Sequence, residues 1–261
     1  MSEKQSQVKI TGCTDTGIRR KYNQDHIGYE QSLGIAVLAD GMGGHQAGEV
    51  AAQMAVESIL AKLQALAELN SSSPVNESRI LDFVSNSISE SNTEIFEASH
   101  ADEAHKGMGT TIVAAIVDGS HIYAAHVGDS RLYLYREQVL RRITKDHSLV
   151  QSLIDKGFYT EREASNASIG NVVTRSLGNK AEVEVDTRRV EMEAADMFLL
   201  CSDGLTDMVS DWQIAEVINE NSMDLEKTAN ELVALANKYG GKDNISVILI
   251  LVEAISPKPD A

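Results

Sequence analysis

Four apolar runs that abut an aspartate set the tightest limits on what this chain can become. GIAVLA (34–39) runs into Asp40, HIYAAHVG (121–128) into Asp129 and MFLLCS (197–202) into Asp203, while Asp243 stands just ahead of ISVILIL (245–251). Short runs rich in β-branched residues and bounded by Gly and Asp are strand signals. A carboxylate at the lip of a buried strand is partly desolvated, which disfavours its charged form unless something compensates. Several such groups in one place repel each other. A divalent cation relieves that penalty, and donors that are all oxygen suit Mg²⁺ or Mn²⁺. The glycines directly after Asp40 and Asp203 predict sharp backbone turns, at which a carbonyl oxygen is exposed as a further donor. Taken singly, each aspartate also reads as a turn residue, and spacing alone does not bring the four together.

Further strands are expected over Val8–Cys13, Thr110–Val117, Arg131–Tyr135 and Val183–Val190, and Asp118-Gly119-Ser120 joins Thr110–Val117 to His121–Val127 as a hairpin. Between Gln46 and Leu66, apolar residues recur at three- and four-residue steps through Ala47, Val50, Ala51, Met54, Ala55, Ile59, Leu63 and Leu66. That is one face of a helix packed on a sheet. Similar faces run over Ile80–Phe96, Asp211–Asn219 and Leu225–Tyr239. Helices therefore come in pairs between blocks of strands, without strict alternation, and the fold class is layered α+β. The turn-rich stretch Asn70–Ser78 reads as a connection inside one domain spanning 1–261.

Composition excludes several classes. With 23 basic against 39 acidic residues the formal charge is −16, and no basic stripe offers a polyphosphate backbone a footing, so no nucleic-acid partner is expected. No run of 18 apolar residues occurs and the first residues lack an apolar signal core, so no membrane partner is expected. Cys13 and Cys201 sit inside strand-like runs and read as two small buried hydrophobes of a reducing, cytoplasmic protein. Arg19-Arg20-Lys21 offers a guanidinium to a phosphate, or is a solvated loop. Zinc spacings, a Walker-type loop and a G-x-S-x-G elbow are all missing from the sequence.

Eight segments carry a family resemblance: RRKYNQD (19–25), LADGMGGHQAGEVAA (38–52), GMGTTIVAA (107–115), AHVGDSRLYLYR (125–136), TKDHSL (144–149), VVTRSLG (172–178), LLCSDGLTD (199–207) and GKDNISVILI (241–250). In that order they resemble the metal-dependent serine/threonine protein phosphatases (PPM family, type 2C), in particular the compact bacterial branch. The resemblance implies a four-layer α-β-β-α sandwich, two central antiparallel sheets flanked by helical pairs. It implies two Mn²⁺ or Mg²⁺ ions on Asp40, the Gly41 carbonyl, Asp203 and Asp243, and a weaker third on Asp129 with Asp203. Asp25 matches the acidic residue that holds metal-bound water, and Arg20 the arginine that grips the substrate phosphate. Arg20, Asp40 and Asp203 thus stand as the catalytic set. Ser130, Arg131, Asn244 and Thr110 match supporting positions.

The implied reaction is hydrolysis of phosphoserine and phosphothreonine by a metal-bridged hydroxide, without a covalent phosphoenzyme. Implied partners are phosphorylated proteins, targets of a serine/threonine kinase, with the chain a monomer. Two positions depart from the family. Met42 stands where many eukaryotic relatives have a histidine assigned as general acid, which leaves His45 as the nearest imidazole, a substrate contact or proton donor. Gln24 stands where some relatives have Glu. Residues 148–171 correspond to the variable flap beside the site. A catalytically silent phosphoprotein-binding module of the same fold is the competing reading, and the loss of a metal aspartate would mark it.

Overall fold

The computed structural model describes residues 6–44, 47–72, 77–160, 163, 172–221 and 224–255. Sheet one has the order β1 (Gln7–Asp15), β11 (Ile245–Ala254), β10 (Met197–Cys201), β7 (Arg131–Arg136), β8 (Val139–Arg142). Sheet two runs β2 (Asp25–Glu30), β3 (Ile35–Met42), β5 (Ile112–Asp118), β6 (His121–Val127), β9 (Asp186–Glu191), with the two-residue β4 (Gly109–Thr110) also paired to β3. Every pairing is antiparallel.

The strand residues alternate between two interiors, which is why the central runs are apolar throughout. Along β11, Ile248, Ile250 and Val252, with Phe198 and Leu200 of the neighbouring β10, point at the other sheet, where they meet Ala36 and Leu38 of β3 and Val113 and Ala115 of β5. Val247, Leu249 and Leu251 point outward to α5 (Asp211–Asn221) and α6 (Leu225–Lys238), against Ile214, Ile218, Leu232 and Ala236. The outer face of sheet two does the same. Ile35, Val37 and Ala39 of β3 pack against Ala51, Ala55, Ile59 and Leu63 of α1 (Ala47–Ser72), while Tyr123 and Ala125 of β6 lie under α2 (Glu77–Ala101), which adds Val84 and Ile88 to the same interior. Three apolar interiors between four layers follow from a period of two in the strands and of 3.6 in the helices. Helix α1 has the length and composition of a membrane-crossing segment over Ala47–Leu69. Here that apolar character is spent on the sheet and on α2.

Some expectations need correction. β2 carries DHIGYE, too polar to read as a strand; it forms because it is an edge strand whose Gly28 lies under Val56 of α1. β8 is a second short edge strand, with Val139 exposed. The Thr110–Val117 run is two strands broken at Thr111, which turns its N–H to the Asp40 carbonyl at 2.9 Å. β9 begins at Asp186; Val183 and Val185 lie outside the strand yet still pack on the α1/α2 interior. α1 runs six residues past Leu66, to Ser72. Cys13 is half-buried rather than buried, its Sγ 3.5 Å from Asn230 Oδ1, while Cys201 is buried as expected.

Phe198 is fully buried between the sheets. Replacing it with alanine should destabilise the fold by about 3–5 kcal/mol through lost burial and an unfilled cavity. Val139→Ala on the exposed edge should stay within roughly 0.5 kcal/mol. Urea unfolding of the two variants checks the contrast.

Candidate active site

The site forms at one end of the facing sheets, where strand register sets two carboxylates against each other. Asp25 on β2 is the direct cross-strand partner of Asp40 on β3. Sheet one supplies the third, because Asp203 opens the short helix α4 (Asp203–Thr206) straight after β10. The hydroxyl of Ser202 crosses between sheets and donates to Asp25 Oδ2 at 2.8 Å, while accepting the Ser246 N–H at 3.0 Å. Asn244, just before β11, ties the loops together. Its Oδ1 accepts the Gln24 N–H at 2.9 Å, and its Nδ2 donates to the carbonyls of Thr16 (2.8 Å) and Tyr22 (2.9 Å).

The loop fastened in this way carries Arg20. The N–H groups of Ile18 and Arg19 both reach the Gly241 carbonyl, at 2.9 and 3.1 Å. Arg20, exposed at the rim, donates from Nη2 to Asp243 Oδ2 at 2.5 Å. The arginine expected to meet the phosphate and an expected metal ligand are therefore in contact.

The glycines after Asp40 and Asp203 serve close approach rather than turning. β3 continues through Gly41 to Met42. A Cβ on Gly41 would run into the Gly48 carbonyl oxygen and come within 2.5 Å of the Gln24 oxygen, and one on Gly204 would strike the Asn244 carbonyl oxygen. Asp40 is held through its backbone. Its carbonyl accepts from the Thr111 N–H and the Thr110 hydroxyl, both at 2.9 Å, and its N–H donates to Thr111 Oγ1 at 3.1 Å. Thr111 Oγ1 also pairs with Ser130 Oγ at 2.7 Å, linking the Asp40 strand to the residue after Asp129.

Electrostatics show that these carboxylates share one field. Burial pushes Asp25 up to about 7; its hydrogen bonds to Ser246 and Ser202 oppose the shift, and the charges of Asp203 and Asp243 add to it. Asp40 is raised well above its ordinary value by desolvation and then by Asp25, Asp203, Asp129 and Asp243. Asp129 is pushed up to about 7 by burial, with Asp203 and Asp146 contributing. Asp25 Oδ1 is buried and has no hydrogen-bond partner.

Among the described residues, no three His, Cys, Asp or Glu side chains are arranged to hold an ion as they stand; Arg20 engages Asp243 and Ser202 engages Asp25. The chemistry of the donors nonetheless fits a hard divalent cation: mutually repelling carboxylates, an orphaned buried oxygen and a backbone stripped of Cβ atoms beside two of them.

Asp25, Asp40, Asp129, Asp203 and Asp243 are thus brought within one another's field, with Gly41 and Arg20 beside them. His45 lies outside the described residues, as do 161, 162 and 164–171 of the flap. The described base of the flap is closed by the Ser148–Val173 bridge and by the Leu149 N–H on the Val172 carbonyl at 2.9 Å. Sequence reasoning missed Ser202 and Thr111. The available signal was a hydroxyl residue next to an apolar strand end, which must find a partner when buried.

The raised carboxylates make a signed prediction for the metal-free chain. A group held above its ordinary value of 3.8 contributes stability that is complete below that pH and is lost as pH rises through about 7. The melting temperature should therefore fall between about pH 5 and about pH 8, and Mn²⁺, which needs ionised carboxylates, should raise it more at the upper pH. Scanning calorimetry with and without chelator reads both trends.

Known proteins place this arrangement. The family model for "Protein phosphatase 2C" matches residues 18–249. The "Serine/threonine phosphatase stp" of Listeria monocytogenes serotype 4b is 40% identical over 240 residues, covering 91% of this chain and 93% of that protein. The crystal structure of serine/threonine phosphatase Stp1 from Staphylococcus aureus superposes with a TM-score of 0.88 at 32% identity, covering 97% of this chain and 98% of that one. The catalytic domain of serine/threonine protein phosphatase PstP, solved with two manganese ions, gives a TM-score of 0.79 at 33% identity, over 94% of this chain and 98% of that one. With a family model matched over most of its length, and relatives of this identity and coverage, the chain belongs to the protein phosphatase 2C family.

Proposed function

We propose that this chain is a metal-dependent protein phosphatase that hydrolyses phosphoserine and phosphothreonine in proteins. The observation that carries the reading is the convergence of five carboxylates at the end of the two sheets, with the Arg20 guanidinium at the rim. Manganese in the PstP relative and the family membership of this chain support Mn²⁺ or Mg²⁺ as the cofactor. Asp40, the Gly41 carbonyl, Asp203 and Asp243 would hold two ions, and Asp129 with Asp203 a weaker third. Such ions supply Lewis acidity and an acidified water for attack on phosphorus.

The chain's own residues do the rest. Arg20 binds and orients the phosphoryl oxygens through its planar fork. Its partner Asp243 keeps the guanidinium at the rim until a phosphate competes for it. Asp25, steadied by Ser202, presents Oδ1 to accept a hydrogen bond from the attacking water. Met42 carries no proton to give, so the departing seryl or threonyl oxygen takes its proton from another group. Cys201 is buried and its thiol is pushed up to about 12, chiefly by desolvation, so it is no nucleophile. A silent binding module gains no support, because no metal aspartate is missing. We extend the reading to a monomeric, cytoplasmic, one-domain enzyme that opposes a serine/threonine kinase and uses neither a membrane nor nucleic acid.

Residues 148–171 form the flap of this reading and set substrate choice. Their described part exposes Phe158 (71%), and Val172 (51%) is exposed just beyond them, apolar surface suited to the residues around a phosphorylated side chain.

Two tests follow. Chelator-treated protein should lose hydrolysis of p-nitrophenyl phosphate and of phosphopeptides and regain both with Mn²⁺. Asp203→Asn should lower turnover by orders of magnitude; full activity under chelation, or near-normal turnover in the variant, refutes the mechanism. Grafting another family member's flap over 148–171 should change the ranking of phosphopeptides while p-nitrophenyl phosphate turnover is retained. An unchanged ranking removes the flap from specificity.

A further inference from the structure

The turn that carries Asp129 is clamped on both sides by the residues immediately before the flap. Gly128 is gripped twice by His147: the His147 N–H donates to the Gly128 carbonyl at 2.8 Å, and the Gly128 N–H donates to His147 Nδ1 at 3.0 Å. Gly128 sits at φ +111°, and a Cβ there would meet Thr111 Cβ at 2.6 Å, so this turn has little room to adjust. Ser130 is fixed by Thr111. Arg131 forks onto Asp146 through Nε (3.0 Å to Oδ1) and Nη2 (2.7 Å to Oδ2). Asp129 thus lies between Gly128 and Arg131, whose partners, His147 and Asp146, are adjacent in sequence.

His147 is itself oriented from every side. Its ring stacks on His126 with centroids 4.6 Å apart and 15° between planes. Because Nδ1 accepts from Gly128, the ring proton sits on Nε2, which faces Asp186 Oδ1 at 3.4 Å. Arg175 Nη1 donates to that carboxylate at 2.8 Å; with the proton on Nε2, its 3.0 Å approach to the ring nitrogen is a contact between two donors, and Asp186 is the acceptor they share. Burial, His126 and Arg175 keep the imidazole uncharged, pushing it down to about 4. The His147 carbonyl accepts the Thr174 N–H at 2.8 Å, joining both ends of the flap to the same point.

We propose that His147 is a positioning residue for Asp129, its Nδ1 lone pair holding the Gly128 amide so that the buried carboxylate keeps a fixed direction against the repulsion of Asp203. The inference deepens the proposed function and rests on reading Asp129 as a ligand of the weaker ion.

His147→Asn keeps an acceptor at the position of Nδ1, whereas His147→Ala removes it, and the pair separates positioning from packing. In chelator-treated full chain titrated calorimetrically with Mn²⁺, His147→Ala should weaken the weakest binding event by about tenfold, as loss of a ligand's support typically does, and leave the tighter events in place. It should also speed amide exchange at residues 128–130, and His147→Asn should restore both readouts. Should His147→Ala fail to fold, His147→Gln, whose acceptor lies one bond further out, takes its place with the same expectation. Unchanged exchange at 128–130, or an asparagine variant no better than alanine, overturns the proposal. Asp129→Asn is the control on the underlying reading. If it leaves every Mn²⁺ event intact, the ligand role of Asp129 fails, while exchange in His147→Ala still decides the clamp.

Discussion

Two aspartates facing each other across paired strands govern this structure. Like charges at directly opposed positions of an antiparallel pair are destabilising even in water, and Asp25 opposite Asp40 adds burial to that cost. Much of the local architecture answers this one conflict. Ser202 reaches from the other sheet to Asp25, Thr110 and Thr111 take up the Asp40 backbone, and Arg20 neutralises Asp243 at the rim. Such concentrated frustration in an otherwise consistent fold marks a functional site.

The four layers make the conflict tolerable. Because the central strands are buried on both faces, their ends are held by packing on three apolar interiors rather than by the polar groups they carry. Rigid sheets can therefore present repelling side chains in fixed register, where a loop would let them separate. The glycines beside Asp40 and Asp203 let neighbouring backbone come close enough to lock these strand ends together.

The central strands and four main helices were legible in sequence because each carries its own period: ISVILIL, MFLLCS and GIAVLA on one hand, the Ala47–Leu66 face on the other. β2 was not, since DHIGYE offers little apolar alternation: Ile27 packs toward the other sheet, and Gly28 stands where a side chain would meet α1. The aspartates were legible as strand-end residues, but their meeting was not, because register between strands far apart in sequence leaves no local signal. The Asp40-Gly41 pair misled for a related reason. A glycine needed for close approach looks the same in sequence as one needed for a turn. Ser202, Thr111 and His147 act through partners supplied by other elements, and only the assembled sheets reveal them.

β11 lies between β1 and β10 in sheet one, and the loop before it brings Asp243 and Asn244. β1 thus waits for β11 to pair, and the Arg20 loop waits for Asn244 to anchor it. During synthesis the residues before Asp243 can emerge and collapse without possessing a finished pocket. Catalytic competence is thereby deferred until β11 has threaded between its two neighbours.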